Sequence, residues 1–251
     1  MLIIGVDDTD TRTSRGTGSL ARQIAASLAA EYLVLGVTRH QLLEDPRVPY
    51  TAKNSSAAIL LDADNVDIEA LAHHVRAIML ADFVEGSDPG LCIAASVPAA
   101  LTEFGRLAQQ ALVTQDQARA LAAEHDVWLA GLGGDEDGVI GALAAVGLAA
   151  CGDDGRYVTV GRVRGLQGKL PVPEILDAGV AAVRTLDDED VTDGLVRAWK
   201  LRPARRDGKP VLYVRKKRAH WEALKGVEER ESQWAKWRKK IPFLSRITFT
   251  K

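Results

Sequence analysis

The apolar positions of this chain form short runs that alternate with stretches of helical spacing. Leu2 to Val6 is apolar without alternation, the pattern of a strand buried on both faces. It empties into a loop carrying three carboxylates, Asp7, Asp8 and Asp10. A glycine- and hydroxyl-rich turn from Ser14 to Ser19 follows, and then an Ala/Leu-rich helix from Leu20 to Leu33. Further strands are predicted at 32–37, 57–61, 91–97 and 128–132, with helices at 67–83, 98–107, 114–124 and 139–150. Thr114 and Gln117 have the spacing of a capping box. The 139–150 segment is so rich in Ala and Gly that close packing is expected of it. This strand–turn–helix alternation predicts an α/β (α+β) fold built in layers.

Past Cys151 the texture changes. Arg156 to Arg164 alternates as a strand, and Glu174 to Thr185 reads as a helix behind Pro171 and Pro173. Val196–Leu201 and Lys209–Arg215 read as a hairpin around Arg205-Arg206-Asp207-Gly208. Ala219–Lys239 reads as a charged helix and Ile247–Thr250 as a last strand, with no internal repeat anywhere.

Composition narrows the class. The 251 residues are 47% hydrophobic and 26% charged, which suits a soluble globular protein of one large or two ordinary domains. No run reaches the ~18 apolar residues of a bilayer span, and no basic region precedes an apolar N-terminal stretch. A cytoplasmic location and no membrane partner are expected. Cys92 and Cys151 stand alone in apolar surroundings, which predicts buried thiols rather than a disulfide or zinc site. The net charge of −2 conceals an asymmetry: residues 199–251 carry 17 Lys/Arg against 5 Asp/Glu, and four of the five tryptophans. Such a tail either binds nucleic acid or another polyanion, or packs on the acidic body and neutralises it.

The acidic loop and the turn after it carry the candidate chemistry. Three carboxylates with no adjacent lysine repel one another unless a cation such as Mg²⁺ offsets them. Backbone N–H groups opened by Gly16 and Gly18 at a helix start suit phosphate. Together they suit phosphoryl transfer from ATP. Asp7, Asp8 and Asp10 would hold metal, Gly16, Gly18 and Ser19 would cradle phosphates, Lys53 and Arg39 would neutralise charge, and the Thr17 hydroxyl would face phosphate. Plainer readings stand beside these. The loop is a solvated acidic turn, Thr17 an N-cap, Lys53 a solvated lysine and Asn54 a turn-forming amide. Gly133–Gly138 is a second phosphate or metal region, or an ordinary turn with favourable charge at a helix start. His40, beside a strand end, is a proton shuttle or a structural histidine.

GVDDTD…RGTGSLA, PRVPYTAKNSSAA, SDPG and GVIGALAAVG follow one another over residues 3–150. In this order they resemble the agmatidine synthetase family, the archaeal 2-agmatinylcytidine synthetases acting on an isoleucine tRNA. The resemblance implies a kinase-like, ATP-binding domain at 1–110 and a ferredoxin-like domain at 111–198. A basic extension at 199–251 stands where the family continues into an oligonucleotide-binding domain and a zinc ribbon. It also implies ATP and Mg as cofactors, a cytidine carbonyl activated by phosphorylation, and displacement of the phosphate by agmatine. By position, Asp7, Asp8 and Asp10 resemble the family's metal and catalytic carboxylates, and Thr17 its autophosphorylated threonine. The neighbouring cysteine and second threonine of the family are absent, with Ser19 a possible substitute nucleophile. Lys53 and Asn54 fall in the family's Lys-Thr-Arg-Gly-Asn loop, and Asp88, Gly90, Gly138, Ile140 and Gly141 match well. The expected function is an ATP- and Mg-dependent activating enzyme that phosphorylates a carbonyl or hydroxyl of a small-molecule or RNA acceptor. Ligation of an amine to the activated group could follow. The alternatives are an RNA-binding module with a defunct ATP site, binding through the basic tail, and a nucleotide-binding sensor without turnover.

Overall fold

A computed structural model describes residues 1–11, 13–48 and 53–224. Its first six elements are β1 (Leu2–Asp7), α1 (Thr17–Leu28), β2 (Leu33–Gln41), β3 (Ser55–Asp62), α2 (Ile68–Ala81) and β4 (Gly90–Ala94). The strands lie in the order β4-β1-β3-β2 with every neighbouring pair antiparallel. That βαββαβ order is the split βαβ arrangement of ferredoxin-like folds. It occupies residues 2–94, ahead of the 111–198 segment where the resemblance implies it. Two strands of 111–198 extend this sheet: β5 (Trp128–Gly131) pairs with β4 at one edge, and β6 (Arg156–Thr159) pairs with β2 at the other.

The pleat of β1 explains its unbroken apolar run. Leu2, Ile4 and Val6 pack with Leu20, Ile24, Leu28, Val75 and Met79 of α1 and α2. Ile3 joins the core on the opposite face, built from α3 (Ala99–Ala108), α4 (Gln115–Glu124) and α5 (Gly138–Ala150). The sheet is the middle of three layers, and α5 is buried almost all round. Its small residues let it approach the sheet backbone. A Cβ on Gly5 would strike the carbonyl of Ala142, and one on Gly90 would strike the backbone of Gly138. The close packing expected of this helix is what the structure shows.

The remaining elements are β7 (Gly168–Pro171), α6 (Val172–Asp177), β8 (Ala182–Arg184), β9 (Leu195–Ala198), β10 (Ala204–Arg206), β11 (Lys209–Lys217) and β12 (His220–Ala223). The sheet continues from β6 through β10, β11, β12 and β9 to β7, and β8 pairs with β11 in parallel. The architecture is mixed α/β, as the sequence pattern predicts. The α4 capping box forms, with the Thr114 hydroxyl accepting from the Gln117 amide and the Gln117 side chain accepting from the Thr114 amide.

Three expectations for the second half are corrected. The helix expected over 174–185 ends at Asp177, because Gly179 takes a φ of 112° and the β-branched Val180 and Val183 turn the chain into β8. The hairpin joins β10 to β11 through Asp207-Gly208, with φ of 48° and 74°, the two positive angles of a type I′ turn. The 196–201 segment is not its partner; β9 pairs with β7 and β12 instead. Residues 199–224 of the basic extension pack on the body, one of the two readings the sequence left open. Arg205 is buried, donating to the carbonyls of Ala149 and Gly208 and to the Tyr157 hydroxyl. The expected helix over 219–239 begins as strand β12, and its remainder, like the expected strand at 247–250, lies outside the described residues. No helix among the described residues is long and apolar enough to cross a membrane.

Candidate functional site

Two adjoining cavities open where β1 ends and α1 begins. The first is an acid cleft of about 110 Å³. Asp7, Asp8, Asp10 and Asp137 supply its carboxylates, Lys53 and Asn54 stand at its rim, and Leu42, Leu43, Leu112, Val113 and Ile140 form an apolar wall. The second, of about 320 Å³, is lined by Arg22, Arg39, Lys53, Arg156, Arg164 and Arg202 against one carboxylate, Asp10. Asp10, Thr17, Lys53 and Ser55 line both and form the shared rim.

Asp7 closes β1 opposite Gly90 of β4 and lies against α5 at Gly141, where a Cβ would occupy the place of the carboxylate. Burial first, and the Asp8 and Asp10 charges after it, raise the Asp7 pKa to about 7, although part of the residue still reaches solvent. Asp8 sits at φ 48°, a left-handed conformation that Asp tolerates better than most residues, and its carbonyl accepts from the Asp88 amide at 3.1 Å. Burial, followed by repulsion from Asp88, Asp10 and Asp137, raises its pKa to about 6.

Asp10 accepts a hydrogen bond from the Thr17 hydroxyl at 3.0 Å. Thr17 is the first residue of α1 and is 7% exposed, while Gly16 holds the N-cap position. The capping reading of Thr17 is therefore set aside: its hydroxyl is spent on Asp10, in the cavity rim. A carboxylate that accepts from a hydroxyl can serve as the base that takes its proton.

The structure sorts the other sequence candidates. Gly16, Gly18, Ser19 and Arg39 line the basic cavity, not the acid cleft. Arg39 donates to the Ser55 hydroxyl at 2.7 Å, and its charge acts on Asp7. Asn54 lines the acid cleft, and its side-chain amide donates to the Leu43 carbonyl at 2.7 Å. Asp88 and Gly90 line neither cavity. Asp88 accepts from the Asp135 amide at 2.6 Å, its own carbonyl accepts from Gly138, and Gly90 seats α5. These two residues build the wall behind the carboxylates. His40 is wholly buried away from both cavities, bonded to Asp154 at Nδ1 and to Thr38 at Nε2, each at 2.8 Å. It is a structural histidine.

Sequence reasoning placed Asp137 in a second, separate region rather than in this cleft, and missed the apolar wall and Arg22, Arg156, Arg164 and Arg202 in the basin. The acid-rich turn 133–138 was a signal for Asp137. The arginines come from α1, β6, the turn after β6 and the turn after β9, and no local motif joins them. Among the described residues no three His, Cys, Asp or Glu side chains gather closely enough to hold a metal ion by themselves. The Asp7, Asp8, Asp10 triad expected as a ligand set thus shares one cleft without forming a closed cage, since Asp10 is directed to Thr17. Mg²⁺ needs no such cage: one or two carboxylates with phosphate oxygens and waters suffice.

No family model and no curated protein matches the chain. Solved structures do. The chain is similar to a tRNA fluorescent labeling enzyme, at 26% identity with a TM-score of 0.51, over 58% of this chain and 35% of that one. It is similar to TiaS in a complex with an isoleucine tRNA and ATP, at 25% identity with a TM-score of 0.52, over 58% and 36%. A further TiaS complex, with the same tRNA, AMPCPP and agmatine, shares the fold at 23% identity and a TM-score of 0.50, over 58% and 35%. TiaS is the agmatidine synthetase of that isoleucine tRNA. The chain spans about a third of the length of these proteins.

Proposed function

We propose that this chain is an ATP- and Mg²⁺-dependent activating enzyme that phosphorylates an acceptor carbonyl or hydroxyl, in the manner of the agmatidine synthetases it resembles. The observation that carries this reading is the Thr17–Asp10 pair at the rim of a carboxylate-lined cleft. The likeness to a TiaS complex with ATP and tRNA supports it.

The acid cleft would take the nucleotide, with Leu42, Leu43, Leu112 and Val113 offering an apolar surface to its base and Lys53 and Thr17 standing at the rim for its phosphates. Asp7 and Asp8 suit a divalent cation, because burial and mutual repulsion make their bare charges unfavourable and a cation relieves both. Bound there, Mg²⁺ supplies charge neutralisation on the phosphate oxygens. Lys53 adds an exposed cation at the rim of both cavities. Thr17 Oγ attacks the γ-phosphorus, its proton passes to Asp10, and the bond to the departing ADP oxygen breaks. The phosphoryl group then moves from Thr17 to the acceptor. An amine could displace it in a following step, as the family resemblance implies.

ATP labelled separately at the α and γ positions tests this, incubated with Mg²⁺ and with or without bulk tRNA and agmatine. γ-label retained on wild-type protein and lost in Thr17→Ala is the expected result. Nucleotide binding with no turnover and no label would replace the proposal with a nucleotide sensor.

A further inference from the structure

The basic cavity is too strongly charged to be a by-product of packing. Five arginines and Lys53 face one carboxylate across about 320 Å³. Among the described residues Arg22, Arg39, Arg164 and Arg202 make no ion pair. Their hydrogen bonds go to the carbonyls of Gly18, Val158 and Leu201 and to the hydroxyls of Ser19 and Ser55. Burial and then repulsion from Arg164 lower the pKa of Arg22. Burial, Arg164, Arg156 and Arg22 together lower that of Arg202. Like charges held this close oppose folding unless an anion joins them.

We infer that the arginine basin is the acceptor's site, and that the acceptor is a phosphate ester whose phosphate is held by Arg22, Arg156, Arg164 and Arg202. Planar guanidinium groups match phosphate oxygens two at a time, which is why arginine rather than lysine suits this role. The inference rests on the proposed placement of the nucleotide in the acid cleft, and the shared rim gives it a geometry. A phosphoryl group on Thr17 faces the nucleotide on one side and the basin on the other, so donor and acceptor sit in separate cavities with the relay between them. Arg156, Arg164 and Arg202 lie beyond residues 3–150, the stretch that carries the family resemblance. The basin is completed by the second half of this chain through β6 and the turns after β6 and β9. The phosphate can belong to an RNA backbone or to a phosphorylated small molecule.

Calorimetry on the full chain separates the possibilities. Ribose 5-phosphate and a short single-stranded oligoribonucleotide are each titrated into protein alone and into protein saturated with AMPPNP and Mg²⁺. The expected result is that one of the probes binds equally well with the analogue in place. Arg156→Ala/Arg202→Ala lowers that probe's affinity at least tenfold and leaves AMPPNP affinity within twofold. The lysine pair Arg156→Lys/Arg202→Lys recovers part of the loss. Preference for the oligoribonucleotide assigns the phosphate to RNA, and preference for ribose 5-phosphate assigns it to a small molecule. Displacement of the probes by AMPPNP, or equal weakening of AMPPNP in the alanine pair, would overturn the inference by making the basin the nucleotide's own phosphate seat. Failure of both probes to bind also overturns it. Probe binding without any AMPPNP binding would leave the basin standing and remove the nucleotide reading instead. Arg164→Ala, at an exposed position, repeats the probe test where the double variant loses its thermal unfolding transition.

Discussion

The acid cleft and the arginine basin share four rim residues but are put together in opposite ways. The cleft draws three of its four carboxylates from one loop, Asp7 to Asp10, at the end of a strand buried on both faces. The basin draws its arginines from positions 22, 39, 156, 164 and 202, brought together by strand pairing between β2, β6 and β10. One concentrates negative charge where a metal–nucleotide complex can relieve it, and the other concentrates positive charge where an anion can. Thr17 stands between them. The proposed relay uses that division, each cavity binding its own partner and a small group crossing the rim.

The sharpest way to break this division is to remove one side's charge. Asp8→Asn is expected to lower Mg²⁺-dependent ATP turnover at least a hundredfold, since the substitution removes a carboxylate that suits the cation beside the phosphates. The fold should survive, because Asp8 keeps its backbone bond to Asp88. Turnover measured with labelled ATP, beside a thermal melt, checks both halves of the claim. Near-normal turnover would move the metal away from this loop.

Thr17 sharpens the comparison next. Thr17→Ala should abolish γ-label on the protein and slow overall turnover by about ten- to a thousandfold, while Thr17→Ser keeps the hydroxyl and most of the activity. A hydroxyl that only orders the α1 start would give the two variants similar kinetics. Equal rates for alanine and serine, from initial velocities, would therefore remove the relay and leave two independent binding cavities.

These two tests fall on residues that a reader of the sequence alone would pick, and the basin does not. Asp7, Asp8, Asp10 and Thr17 were legible because a short apolar strand delivers its next residues to one place, whatever the rest of the fold does. Lys53 was legible through the loop before β3, and its position at both cavities agrees with a role in neutralising charge. Asp88 and Gly90 were noticed for their motif, and they line neither cavity but stand behind the cleft's carboxylates, the Asp88 charge acting on Asp8. An Asp beside a site can hold an amide, here that of Asp135, as readily as a ligand. The layered α/β pattern and the bounds of α2 to α5 were readable because burial on one helical face leaves a periodic trace. The first helix, expected over 20–33, instead runs from Thr17 to Leu28, and Leu33 already opens β2. Past Cys151 short strands pair across long gaps, and local spacing carries no record of the partner. Arg156, Arg164 and Arg202 belong to that second class, as does the β10–β11 hairpin, which local spacing credits to the 196–201 run.

A third test concerns what holds the cleft's wall in place. Gly141→Ala would set a methyl group on the Asp7 carboxylate, with the α5 backbone unable to retreat from β1 and β4. The expected loss is about 1–3 kcal/mol of stability, together with impaired turnover. Gly18→Ala on the basin side meets nothing nearer than Arg22 Nη1 at 4.0 Å, and should change stability by no more than about 1 kcal/mol, through its effect on helix propensity. Melting temperatures of the two variants check the asymmetry. If Gly18→Ala were the more damaging, the crowding would lie on the basin side.

The smallest effect is one of pH, and it belongs to the cleft alone. The Asp7 and Asp8 pKa values are raised to about 7 and about 6 from 3.8, so between about pH 4 and pH 7 the folded chain holds more protons than the unfolded one. Stability contributed by these groups is therefore present at low pH and is lost as pH rises through that window. Solvent contact at the loop moderates the effect, and a loss of about 1–2 kcal/mol between pH 5 and pH 8 is expected for the metal-free chain. Asp45, held by Arg47 at a pKa of about 2, acts below this window and with opposite sign. Urea unfolding of wild type and Asp8→Asn at pH 5 and pH 8, with and without Mg²⁺, reads the effect directly. The variant should show a shallower pH dependence, since one carboxyl is gone and the repulsion on Asp7 falls with it. Added Mg²⁺ should recover wild-type stability at pH 8 and do less at pH 5, where protons already occupy the carboxylates. An unchanged slope in the variant would mean that the raised affinities for protons lie elsewhere in the chain, and the case for a cation at this loop would fall with them.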